Sequence, residues 1–196
     1  MCYSNPSPLH FTTIASWRGP FGTVKRNGKT YGLKCHEFRK IISLPVDSQH
    51  EFELALNIHT ADEKDRNLLL ANRWQLTDPL TAGSSPELFR EYVQDSDAEF
   101  SVAQGIYVDS NSGWFSDRSV RYLASGKPVI VQDTGFANHL PTGEGLLGFT
   151  TLEQAREAVD VLANNYEHHA RSARKIAETH FDSNVILRRF LENAML

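Results

Sequence analysis

The densest set of groups suited to holding an anion lies between Ser112 and Gly135. Ser112, Gly113, Phe115 and Ser116 lead into a pattern in which Val120, Leu123 and Ala124 share one helical face. Ser116 is a good N-cap, and Ser125-Gly126 followed by Pro128 stops the helix. The first amides of such a helix favour negative charge, because their N–H groups lack partners and the helix dipole points the same way. The chemistry implied is recognition of a phosphate-bearing ligand, although a cap satisfied by Ser116 alone explains the same residues. Asp117 suits the dipole without a ligand. Arg118, in the same turn, does not, so a partner is needed more for Arg118. Trp17 and Trp114 stand in loops after strand patterns, where an indole can stack on a base or a sugar, and burial in the core is the competing role.

The elements around these residues alternate. After an extended lead-in, 1–10, a strand is predicted over 11–16, and Asn27-Gly28 between strand-like flanks signals a hairpin with a type I′ turn. A helix is predicted over 36–42, a strand over 51–58, and a capping box at Thr60-Ala-Asp-Glu63 leads into the next helix. A short strand at 74–76, a helix started by Ser85-Pro86, and a strand over 99–108 follow. Val129 to Val131 reads as a buried strand, Leu146 to Phe149 as another, and Thr151-x-x-Gln154 opens a helical C-terminus. Five or six strand-to-helix alternations predict an α/β fold with a mainly parallel sheet, whose ligands sit beyond the strand C-terminal ends. The loops at Trp17-Arg18, Thr77-Asp78, Ser110-Phe115 and Asp133-Gly135 all follow strands, so they are expected to converge on one crevice.

Composition narrows the classes. The chain has 196 residues, 40% hydrophobic and 22% charged, which is ordinary for a globular domain with a core. A net charge of −4 with scattered basic residues argues against nucleic acid as a partner. No apolar run reaches the length of a membrane span, and Met-Cys-Tyr-Ser-Asn-Pro lacks a signal pattern, so a cytoplasmic location is expected. Two cysteines, Cys2 and Cys35, read as free thiols. Cys35-His36 lacks a second pair at ligand spacing, so no metal is expected, and His168-His169 reads as solvated helix surface.

Ala124-Ser-Gly126, Lys127-Pro-Val-Ile130 and Gly135, with the later turn Leu140-Pro-Thr-Gly-Glu-Gly-Leu-Leu147, resemble the donor-binding half of GT-B glycosyltransferases. Gly-Trp-Phe-Ser-Asp-Arg-Ser (113–119) and Gln-Asp-Thr-Gly-Phe (132–136) are similar to the signature of one bacterial subgroup of these enzymes. The resemblance runs from about Phe11 to Phe181. It implies a Rossmann-like three-layer domain over 11–181, with 182–196 a C-terminal helix packing on that domain or on an absent partner domain. It also implies a nucleotide-diphosphate sugar as donor substrate, no further cofactor, and an N-terminal acceptor-binding domain as partner.

By position in that pattern, Arg18 and Lys34 resemble the cations placed on the donor diphosphate, which gains negative charge as the glycosidic bond breaks. Arg18 and the amides before Ser116 are expected to form one electropositive notch. The Asp133-Thr134-Gly135 loop, with Arg118, is placed near the sugar or ribose; an Asx-turn capped by Gly135 is the alternative. Many retaining members carry two glutamates with seven residues between them, and here Gly113 and Arg121 occupy the matching positions. The catalytic residue, the residue holding the ribose and the stereochemical outcome therefore stay open; Glu144 is a candidate substitute at the ribose, with a turn carboxylate in solvent its competing role. Two other readings remain: a non-catalytic binding or interaction module on the same fold, and a sugar-nucleotide epimerase-like enzyme.

Overall fold

The computed structural model describes residues 8–194; Cys2 and most of the lead-in lie outside them. Six parallel strands form the main sheet: β1 (His10–Ser16), β4 (Glu51–Asn57), β5 (Gln75–Thr77), β6 (Ala98–Ser101), β7 (Val129–Gln132) and β8 (Leu146–Phe149). A separate antiparallel hairpin pairs β2 (Val24–Arg26) with β3 (Lys29–Tyr31). Its turn places Asn27 and Gly28 at φ of 50° and 76°, as a type I′ turn requires. The sheet order is β5-β4-β1-β6-β7-β8, so the winding reverses between β1 and β6. Counting main-sheet strands alone, this is the doubly wound order of a Rossmann fold.

Helices cover both faces. On one side α1 (Lys34–Lys40), α2 (Glu63–Ala71) and α7 (Leu152–Asn164) bury Phe38, Leu69, Val159 and Leu162 against Phe11, Phe52, Phe100 and Phe149. Those rings stack in pairs, Phe11 on Phe52 at 5.0 Å and Phe100 on Phe149 at 5.1 Å, which fixes strand register beyond simple area burial. On the other side α4 (Pro86–Asp95), α6 (Asp117–Ala124) and the C-terminal half of α8 (Tyr166–His180) enclose Val129, Val131 and Leu146. The expected three-layer α/β domain is what forms.

Two sequence expectations change. The strand predicted over 99–108 ends at Ser101, and α5 (Gly105–Asp109) follows. Gly105 lies so close to Gly32 that a Cβ would come within 2.9 Å of the Gly32 backbone, and Ile106 N–H donates to the Gly32 carbonyl at 3.2 Å. That long-range approach bends the chain away from the sheet, and no local pattern encodes it. The capping box at Thr60 is also absent: His59 caps a 3₁₀ turn over Thr60–Asp62 by accepting the Ala61 N–H through Nδ1. An additional short helix, α3 (Pro79–Gly83), is capped by Asp78.

The last helix, α9 (Ser183–Ala194), buries no residue and leaves Ile186, Leu187, Phe190 and Leu191 exposed. Cys35 is a free thiol in the core, its pKa raised by burial.

His169 corrects the solvated-surface expectation. It is buried, and its Nδ1 accepts the Gly145 N–H at 3.1 Å, so the ring bonds as neutral imidazole. Burial, then His168, lowers its pKa below the ordinary 6.5. The unfolded chain therefore binds the proton more readily, and this contribution to stability is complete above pH 6.5 and lost as pH falls below it. Thermal denaturation against pH is expected to show an acid-side loss that shrinks in His169→Asn, whose amide oxygen can accept the same N–H.

Candidate functional site

A cleft of about 530 Å³ opens where the winding reverses, beyond the C-terminal ends of β1 and β6. Its walls include Ser16, Lys34, Gln104, Tyr107, Trp114 and Arg118. Lys34 is the first residue of α1, and its backbone N–H donates to Gln104 Oε1 at 2.7 Å. Gln104 Nε2 in turn donates to the Arg18 carbonyl at 3.1 Å, so one amide side chain ties three segments together at the rim. The Lys34 side chain is 9% exposed, and among the described residues no hydrogen bond or ion pair holds its ammonium group. Burial first, and the Arg118 charge second, push its pKa down to about 7, against the pull of Glu99.

Arg118 is fixed from three directions. Its Nε donates to Glu99 Oε1 at 2.6 Å, one terminal nitrogen to the Ile14 carbonyl at 2.9 Å, and the other to Ser101 Oγ at 2.5 Å. Glu99 is fully buried in β6, so this ion pair holds the guanidinium at the sheet edge between β1 and β6. Three of its five N–H groups are used, which leaves donors for the cleft it lines. Trp114 stacks on Tyr107, ring centroids 4.9 Å apart and 21° from parallel, forming an aromatic wall of the same cleft.

The other expected site residues fall elsewhere. Arg18 makes a two-point pair with Asp62, Nε to Oδ2 at 2.8 Å and a terminal nitrogen to Oδ1, which raises the arginine's pKa and lowers the aspartate's. Two of its five N–H groups are therefore taken by a carboxylate, and the cations that line the cleft are Lys34 and Arg118. Trp17 corrects a stacking expectation: 1% exposed, it packs on Phe38 and donates Nε1–H to Asp65 at 2.8 Å, so no face is left for a ligand.

The loop before α6 is knitted to the loop after β7. Gly113 N–H donates to the Thr134 carbonyl at 2.7 Å, and Thr134 Oγ1 donates to the Trp114 carbonyl. Ser112 Oγ accepts the Trp114 N–H at 3.3 Å, and Ser116 Oγ accepts the Arg118 N–H at 3.3 Å as an N-cap. Phe115 stacks on Phe181 and meets Phe136 edge-on. Ser112, Gly113, Phe115 and Ser116 thus each make a contact within the fold itself. Asp133 forms the Asx-turn, accepting the Gly135 N–H at 2.8 Å, with Gly135 at φ of 93°. It borders a second hollow of about 490 Å³ along the rim, with Thr142, Thr150, Gln154 and Glu157. Arg121 pairs with Asp117 on the surface, and Glu144 faces His168 at 3.2 Å.

Sequence reasoning missed Glu99 and Gln104. A glutamate within a short buried strand is a signal of a buried partner, and Arg118 was the unexplained cation. Among the described residues no group of three or more His, Cys, Asp or Glu is placed to hold a metal, and no helix is long and apolar enough to cross a membrane.

The solved structure of TarM, a GT-B glycosyltransferase, matches 97% of this chain with a TM-score of 0.61 at 12% identity. The fold is that of a GT-B-like domain. The match covers 36% of the TarM chain, so this chain spans about a third of that neighbour's length. No family model matches the sequence, and no curated protein does.

Proposed function

We propose that this chain is the donor-binding domain of a GT-B glycosyltransferase, holding a nucleoside diphosphate sugar in the cleft between β1 and β6. The observation that carries the reading is the pair of cations there: Lys34, whose amine has no partner among the described residues, and the clamped guanidinium of Arg118, at the winding reversal where α/β sheets bind ligands. A pyrophosphate supplies the negative charge that this arrangement lacks, and the partly desolvated site strengthens the contact. The stacked Trp114 and Tyr107 offer a flat apolar wall for the base or the sugar. The hollow beside Asp133 has hydroxyls, an amide and carboxylates but no cation on its walls, which suits a neutral polyhydroxyl group, so the sugar end is assigned to it.

Transfer would take place against an acceptor-binding domain facing the same rim. The extent of TarM beyond the match is in keeping with a second domain. The departing pyrophosphate would gain charge in the transition state, where Lys34 and Arg118 stabilise it.

Calorimetric titration with uridine, guanosine and adenosine diphosphate sugars tests the reading; at least one is expected to bind, and absence of heat with all would overturn it. Arg18→Ala is expected to change the affinity of that donor by less than about threefold, because its guanidinium is already paired with Asp62. A loss beyond tenfold would return Arg18 to the diphosphate.

A further inference from the structure

We propose that Lys34 is a carbonyl-reactive amine, forming a Schiff base with an aldehyde that carries a phosphate group, the phosphate resting on Arg118. Lys34 lines an open cleft, yet its ammonium group is mostly removed from water and held by no carboxylate among the described residues. An amine next to a fixed guanidinium loses its proton more easily, and the neutral amine is the nucleophile. Two charged groups act on it: Arg118 from α6 opposes the ammonium, and Glu99 from β6, bonded through Oε1 to Arg118 with its buried Oε2 unpartnered among the described residues, favours it more weakly than burial and Arg118 oppose it. At neutral pH a substantial share of Lys34 is therefore unprotonated.

The other lysines lack this combination. Lys29 pairs with Asp109 and Lys40 with Glu37, so each ammonium is already held by a carboxylate. Lys25, Lys64 and Lys175 are exposed. Lys127 is half-buried with a lowered pKa, but the charges acting on it are the carboxylates Asp95 and Asp97, which would repel a phosphate.

In the step itself, the Lys34 nitrogen lone pair adds to the aldehyde carbon and a proton passes from nitrogen to oxygen. The carbinolamine then loses water as the carbon–nitrogen double bond forms. No oxidant, reductant or metal is consumed. The N–H groups of Arg118 left unused by Glu99, Ile14 and Ser101 receive the phosphate and retain the aldehyde next to the amine.

The test treats the whole protein near neutral pH with pyridoxal phosphate, reduces with borohydride, and maps the labelled peptide by mass spectrometry. One phosphopyridoxyl group is expected on Lys34, added faster than on Lys25 or Lys64 and blocked by inorganic pyrophosphate. Pyridoxal without the phosphate is expected to label Lys34 about tenfold more slowly or worse, the equivalent of one lost charge-assisted contact. Lys34→Arg, which keeps the charge and stem, should take no label at that position. Label spread over the exposed lysines, with Lys34 no faster than they are, would overturn the proposal, as would equal labelling by pyridoxal. No nucleotide enters the assay, so a failed titration with sugar nucleotides and a failed labelling experiment remain separate results.

Discussion

Gly145→Ala is expected to remove a large share of the protein's stability. Gly145 sits at φ of 74°, a left-handed conformation that costs an alanine about 1 kcal/mol or more. A Cβ there would overlap the amide nitrogen of Ala173 and come within 2.7 Å of the Ser172 carbonyl carbon. Those are backbone atoms of α8, so no side chain can rotate out of the way. Relief requires moving α8, whose Ala173, Ile176 and Ala177 pack the second core cluster. The same shift breaks the bond from Gly145 N–H to His169 and the one from Val129 N–H to the Gly145 carbonyl at 2.9 Å. Strain, overpacking and two lost buried hydrogen bonds together come to about 3–6 kcal/mol, against a typical domain total of about 5–15 kcal/mol. Urea unfolding should show a large drop in midpoint. Gly143→Ala is the internal control: its φ is 101°, but nothing lies within 4 Å of the added Cβ, so only the conformational cost remains. Equal losses for the two variants would contradict the steric argument.

Lys34→Met is expected to weaken donor binding by about tenfold to a hundredfold, the worth of one charge-assisted contact to a phosphate. Methionine keeps the length and apolar bulk of the stem, so the N-terminal turn of α1 stays packed. The pH dependence separates lost charge from lost shape. In the free protein Lys34 titrates at about 7, lowered by burial and by Arg118. A bound pyrophosphate favours the ammonium and raises that pKa, so binding takes up a proton whenever the solution is near or above neutrality. Donor affinity is therefore full below pH 7 and falls as pH rises through it, by up to about tenfold per unit. The pyrophosphate diester of a sugar nucleotide does not itself titrate in this range. Calorimetry in buffers of different ionisation enthalpy reads the proton uptake directly. A flat profile in the wild type, or an unchanged one in Lys34→Met, would contradict the assignment.

Periodicity and turn chemistry made the α/β architecture legible in the sequence. The alternation of strands with capped helices, Asn27-Gly28 at the hairpin and Ser125-Gly126 after α6 are local signals, and each acts locally in the structure. The strand that stopped early at Ser101 failed for a non-local reason, the backbone contact between Gly105 and Gly32. The site was harder to read because side-chain commitments are tertiary. Arg18 follows the C-terminal end of the central strand β1, as a ligand-binding cation would, but Asp62 lies across from it and pairs with the guanidinium. Trp17 occupies a loop position and still points into the aromatic core through its bond to Asp65. Lys34 and Arg118 were both named from the sequence, yet the feature that joins them, Glu99 buried beneath Arg118, depends on β1 and β6 being neighbours across 80 or more residues of chain. Sequence spacing alone does not show such pairing.

The most direct measurement is a crystal structure with the tightest-binding nucleoside diphosphate sugar soaked or grown in. The account predicts the pyrophosphate oxygens within hydrogen-bonding distance of both Lys34 Nζ and the free edge of Arg118, with the Arg18–Asp62 pair intact. A nucleotide seated on Arg18 with that pair broken, or bound away from the cleft between β1 and β6, would contradict it.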